Sequence, residues 1–109
     1  MPVGEEAAAR TFYSGVLGFT EIPKPVSLAN RGGAWFISGT AKIHLGVETN
    51  FQPARKAHPA LLVQDLEVIL ADLKRLGIDY DTTQPALDGY KRIHISDPFG
   101  NRIELMQKV

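Results

Sequence analysis

The chain carries three histidines, His44, His58 and His94, and all three fall in stretches where apolar and polar residues alternate, as do the carboxylates Glu48 and Glu104. Imidazole is a neutral nitrogen ligand near pH 7 and the side chain whose charge changes most readily there. Two such rings and a carboxylate form a suitable donor set for a borderline divalent ion such as Zn, Ni, Mn or Fe(II), with coordination positions left open for a substrate. Each residue taken singly has a plainer explanation. One face of an antiparallel sheet is often solvated, and polar residues opposite an apolar stripe follow from that alone. The Asp97-Pro98-Phe99-Gly100 turn between His94 and Glu104 is likewise ordinary turn chemistry. What raises the set above coincidence is its joint placement.

That placement comes from elements that occur twice. Glu5–Gly18 has apolar residues Ala8, Phe12, Val16 and Leu17 at helical spacing and a glycine where the helix ends. In the second half Asp65 can cap a helix whose stripe is Leu66, Ile69, Leu70 and Leu73, closed by Gly77. A Pro/Gly-containing connection and a hairpin follow each helix: AWFIS and AKIHLGVE in the first half, YKRIHIS and NRIELMQ in the second. Aligning Gly18 with Gly77 carries Trp35 onto His94 and brings His44 to within one residue of the place of Glu104. A period of two puts Ile43, Leu45 and Val47 opposite Lys42, His44 and Glu48 in the last strand of the first half. By the same rule Ile93 and Ile95 oppose Arg92 and His94, and Ile103 and Leu105 oppose Arg102 and Glu104. The aliphatic face should cover the helix of its own half, which leaves the histidines and glutamates on the other face. The second half also has a leading strand, His58–Val63. Its counterpart in the first half would begin just upstream of Met1, so that strand is expected to be short or missing.

At 109 residues the chain is expected to be one α+β domain of two modules, about 1–50 and 57–109. Each module reads as strand, helix and further strands (βαβββ), folded into a curled mixed sheet. Twelve basic and twelve acidic residues leave no net charge, which gives no support for a nucleic-acid or acidic-membrane partner. With no cysteine there is no thiolate nucleophile, disulfide framework or Cys-type zinc site to propose. No apolar run approaches the roughly 20 residues that span a bilayer and MPVGEEAAAR lacks a signal pattern, so a cytoplasmic location is the expectation.

The paired modules, the helix end FYSGVLGF (Phe12–Phe19) and DPFGNRIEL (Asp97–Leu105) resemble the vicinal oxygen chelate superfamily. That group includes glyoxalase I, fosfomycin-resistance transferases, extradiol dioxygenases and bleomycin-resistance proteins. The resemblance runs over essentially the whole chain. It implies a glyoxalase-like fold, a divalent metal (Zn, Ni, Mn or Fe) in a β-sheet cup, a small-molecule substrate and a homodimer. Carried over by position, it makes His58 and Glu104 metal ligands of the second module and puts His44 where relatives place a first-module glutamate ligand. His94 stands where relatives often have a substrate-facing tyrosine, and there it could relay a proton. Arg92 could hold an anionic group, with Trp35, Lys42 and Tyr90 also lining the substrate side. One further family ligand would lie upstream of Met1. The first function expected is therefore a metal-dependent enzyme acting on a small oxygenated substrate, of unassigned reaction. The second is a metal-free binding protein of the bleomycin-resistance type, and a plain dimerisation domain is a third.

Overall fold

The computed structural model describes residues 1–109. The chain divides into two compact units, Met1–Pro53 and Ala54–Val109, each with one three-stranded sheet.

The first unit opens with helix α1 (Glu6–Arg10), which widens into a π-helical segment over Thr11–Val16. Leu17 N–H bonds back five residues to the Phe12 carbonyl. The expected stripe therefore shifts: Ala9, Phe12 and Tyr13 are the buried residues, while Ala8, Val16 and Leu17 are only half-buried. A wider turn rotates less per residue, so the consecutive rings of Phe12 and Tyr13 both turn inward. Tyr13 stacks on Phe36 with centroids 5.3 Å apart and meets Phe12 edge-on. The sheet is antiparallel, in the order β1 (Thr20–Ile22), β2 (Ala34–Ser38), β3 (Ala41–Leu45). The short strand β1 lies inside what reads in the sequence as a connection. Of the expected leading strand, one ladder step is present: the Met1 amino group donates to the Gly46 carbonyl, and Glu48 N–H donates to the Met1 carbonyl. Gly33 packs so tightly against β3 that a Cβ there would lie 2.0 Å from the Leu45 carbonyl oxygen.

In the second unit β4 (Ala60–Leu62) pairs parallel with β6 (Arg102–Lys108), and β6 pairs antiparallel with β5 (Tyr90–Ser96), so this sheet is mixed. Helix α2 (Leu66–Leu76) is the one the sequence predicts, with both its ends satisfied. The Asp65 side chain accepts from Glu67 and Val68 N–H, and Gly77 closes the helix in the left-handed conformation. Losing such a cap costs about 1 kcal/mol. Gln107 of β6 also accepts from Leu66 N–H at 2.7 Å, tying the helix start to the central strand. The buried aliphatics of the unit are Leu66, Leu73, Ile93, Ile95, Ile103 and Leu105. Between α2 and β5 the chain forms no full strand. Instead, Asp81 pairs with His94 through two backbone hydrogen bonds of 2.8 and 3.0 Å.

Candidate metal centre

Three constraints of the second unit converge on one carboxylate. Antiparallel register sets His94 of β5 directly opposite Glu104 of β6. Parallel register sets Ala60 beside Glu104, and His58 lies two residues before Ala60, in the same alternation phase. The turn that fixes the β5–β6 register is held by Asp97, whose Oδ1 accepts from Phe99 and Asn101 N–H and whose Oδ2 accepts from the Asn101 amide. A turn so constrained leaves no freedom for a slip that would send Glu104 to the opposite face.

His94 and Glu104 are both about 5% exposed, so the face carrying them is not a solvated one. Around Glu104 Oε1 stand His94 Nε2 at 2.7 Å, Arg92 Nη1 at 3.0 Å and His58 Nε2 at 3.4 Å. The donor atoms of His58, His94 and Glu104 all lie within 4.8 Å of one another. The two imidazoles meet edge-on, with centroids 5.2 Å apart.

The hydrogen-bond partners decide what these nitrogens can offer. His58 Nδ1 is 2.7 Å from the Lys56 carbonyl, which can only accept, so that nitrogen carries the proton. In the neutral ring the Nε2 lone pair then points toward the carboxylate oxygen 3.4 Å away. In the neutral ring these two electron-pair donors can share a cation; in the protonated ring Nε2–H donates to the carboxylate instead. Ligands at about 2.0–2.2 Å in a tetrahedral shell stand roughly 3.3–3.6 Å apart, so the His58–Glu104 spacing is that of two ligands sharing one ion. A backbone carbonyl fixing the far nitrogen is also the usual outer partner of a ligating histidine. The His94–Glu104 contact is different, being of hydrogen-bond length. His94 Nε2–H donates to Glu104, and Nδ1 is buried with no hydrogen-bond partner.

Burial and neighbouring charges bias the protonation of both buried groups. Burial works to raise the Glu104 carboxyl, but hydrogen bonds from His58 and Arg92, and the Arg92 charge, outweigh it and hold the group below its ordinary value of 4.5. His94 is held below its ordinary 6.5, first by burial and then by the Arg102 charge, against the opposing pull of Glu104. Glu104 therefore favours its carboxylate form and His94 its neutral ring, whose one proton is on Nε2 in this contact.

The connection before β5 is fastened over the same residues. Arg92 Nη2 donates to the Pro85 carbonyl at 2.6 Å, and Asp81 bonds to the Thr83 hydroxyl and backbone and to the Gln84 amide. Those bonds hold the exposed Asp81 carboxyl down at about 2. The Lys56 and Pro85 carbonyls escape any reading of the sequence, because main-chain groups carry no residue-type signal.

His44 belongs to the first unit, where it pairs across β2–β3 with Trp35 and stacks on it, with ring centroids 3.6 Å apart and planes 3° from parallel. This pair occupies the place in its hairpin that His94 and Glu104 occupy in theirs. Lys42 is exposed on β3, and Tyr90 begins β5 opposite Lys108. Thus His58, His94, Glu104 and Arg92 come together in one unit.

The Glyoxalase/Bleomycin resistance protein/Dioxygenase superfamily model matches residues 1–105, and the chain belongs to that superfamily. A glyoxalase family protein from Bacillus anthracis is 46% identical with a TM-score of 0.95, over all of this chain and 88% of that one. The fosfomycin resistance protein FosX from Listeria monocytogenes is 20% identical with a TM-score of 0.77, over 100% and 87% of the two chains. TnmS3, an antibiotic binding protein from Streptomyces, is 24% identical with a TM-score of 0.73, over 100% and 91%. The last two likenesses concern the fold alone. No curated protein matches. No helix is long and apolar enough to cross a membrane.

Proposed function

We propose that the chain is a metal-dependent enzyme that acts on a small oxygenated substrate, with His58, His94 and Glu104 holding a divalent ion. The observation that carries this is the His58 ring: Nδ1 is committed to the Lys56 carbonyl, and Nε2 is aimed at a buried carboxylate oxygen 3.4 Å away. When bound, a divalent ion supplies Lewis acidity to oxygen atoms of the substrate. The chain's own contributions are distinct. Glu104 provides the negative charge, and the β5–β6 register holds His94 against it. His94 would ligate through Nε2 once its single ring proton moves to the partnerless Nδ1, so that the ring stays neutral, and Zn, Ni, Mn or Fe(II) suits the two-nitrogen, one-oxygen set. Equilibrium dialysis against Mn or Zn, followed by metal analysis, tests the reading. One ion per chain is expected, with loss of it in the His58→Ala, Glu104→Ala double variant. Undiminished uptake by that variant would remove these residues from the site.

A second reading draws on the stack of half-buried Trp35 and exposed His44, a flat surface of the kind that receives a planar ligand. In that reading the chain sequesters a small molecule without metal, as a bleomycin-resistance protein does. Ligand quenching of Trp35 fluorescence that survives a chelator would favour it; quenching abolished by the chelator favours the enzyme.

A further inference from the structure

Arg92 is placed to respond to whatever occupies the centre. Its Nη1 donates to Glu104 Oε1 at 3.0 Å, the same oxygen that His58 and His94 face. Its Nη2 is anchored on the Pro85 carbonyl at 2.6 Å, and its Nε is buried with no acceptor. The guanidinium therefore makes one ion pair, with the carboxylate that the proposed metal would take, and holds one further donor unused.

The charge count gives this consequence. Without metal, and with both histidines neutral, Arg92 and Glu104 balance each other. A divalent ion on His58, His94 and Glu104 would take over the carboxylate and leave a net charge of two positives beside the buried His94 and Glu104, with His58 itself exposed. Like charges repel most strongly on the buried side, where water screens them least. An oxyanion that bridges to the guanidinium restores the balance.

We propose that Arg92 exchanges Glu104 for an anionic group of the substrate when metal binds, so that metal and anion bind cooperatively through this one side chain. The inference rests on the metal-site reading above. The substrate it selects is a small molecule bearing a carboxylate, phosphonate or phosphate next to its metal-binding oxygens. Anchored at Pro85, the released head pivots rather than leaving the site, and it offers Nη1 and Nε to the incoming oxygens. Binding linkage is reciprocal, so the factor by which the anion tightens the metal equals the factor by which the metal tightens the anion.

The test measures Mn2+ affinity, by the EPR signal of free Mn2+, at constant ionic strength in chloride, acetate or inorganic phosphate. In the native chain acetate or phosphate is expected to tighten Mn2+ at least about fivefold relative to chloride. The stronger of the two assigns a carboxylate or a phosphoryl-type group. Arg92→Gln is expected to bind Mn2+ with the same affinity in all three salts. Arg92→Lys, which keeps the charge without the fork, is expected to retain a diminished coupling and serves if the glutamine variant does not fold. Native affinity that ignores the anion overturns the proposal, as does full coupling in either variant. Failure of the native chain to take up Mn2+ in any salt overturns the metal reading itself, which separates the two failures.

Discussion

Replacing Glu104 by glutamine keeps the shape of the side chain and removes only its charge. In the metal-free chain Glu104 Oε1 accepts from Arg92 and His94 at 3.0 and 2.7 Å, and the side chain is 7% exposed. A hydrogen bond to a charged group contributes about 1.5–3 kcal/mol and a neutral one about 0.5–1.5, so the His94 bond loses about 1 kcal/mol, while the Arg92 bond keeps its charged donor and loses only the ion pair, about 0.2–1 kcal/mol. Arg92 keeps Pro85 and is about one-fifth exposed, so part of its loss is recovered by water. The expected destabilisation is therefore about 1–2 kcal/mol, or roughly 4–8 °C in Tm for a chain of this length. Glu104→Ala leaves three polar partners facing a void and should cost about 3 kcal/mol or more. Urea unfolding in a chelator near pH 7.5 measures both. The pH dependence has a fixed sign. Because the carboxyl is held below 4.5 in the folded chain, its stabilising contribution is present above that pH and is lost as pH falls through the folded value. The native and glutamine curves should converge in acid. A glutamine variant as stable as the native chain at pH 7.5, or a gap that widens in acid, would refute an ionised, hydrogen-bonded Glu104.

His94, held below 6.5 by burial, should titrate by NMR below that value, and folding stability should fall as pH drops from 6.5 toward the folded value; an upward shift would contradict its buried, neutral state. Gly33→Ala places a Cβ 2.0 Å from the Leu45 carbonyl oxygen at φ +81, so it should cost roughly 3 kcal/mol or more, read as a lowered unfolding midpoint. Light scattering on a sizing column should return twice the chain mass of 12.0 kDa if the chain pairs as a homodimer, and 12.0 kDa if it does not.

Much of the second unit was legible from residue types. Asp65 and Gly77 bracket α2 because capping chemistry is local. The repeat was legible as well: the alignment that sets Trp35 on His94 and His44 near Glu104 reappears as the cross-strand pairs Trp35–His44 and His94–Glu104. The π-helical turn was not, since the pattern at Ala8, Phe12 and Val16 assumes a constant rotation that Phe12 and Tyr13 abandon to be buried together. Nor was the strand β1, whose three residues pair within a connection rich in proline and glycine. At the site, alternation put His94 and Glu104 on one face but said nothing of their burial. That burial depends on distant segments: His58 arriving by parallel pairing, and Arg92 tied to Pro85. The Nδ1–H of His58 was equally hidden, because it is set by the Lys56 carbonyl.

His58, His94 and Glu104 are proposed to share one divalent ion. Anomalous diffraction at the metal edge, from crystals grown with Mn or Zn, addresses it most directly. A single strong peak is expected about 2.0–2.2 Å from a ring nitrogen of His58, a ring nitrogen of His94 and a carboxylate oxygen of Glu104. A peak bound by other residues, or none beside Glu104 in metal-saturated crystals, would contradict it.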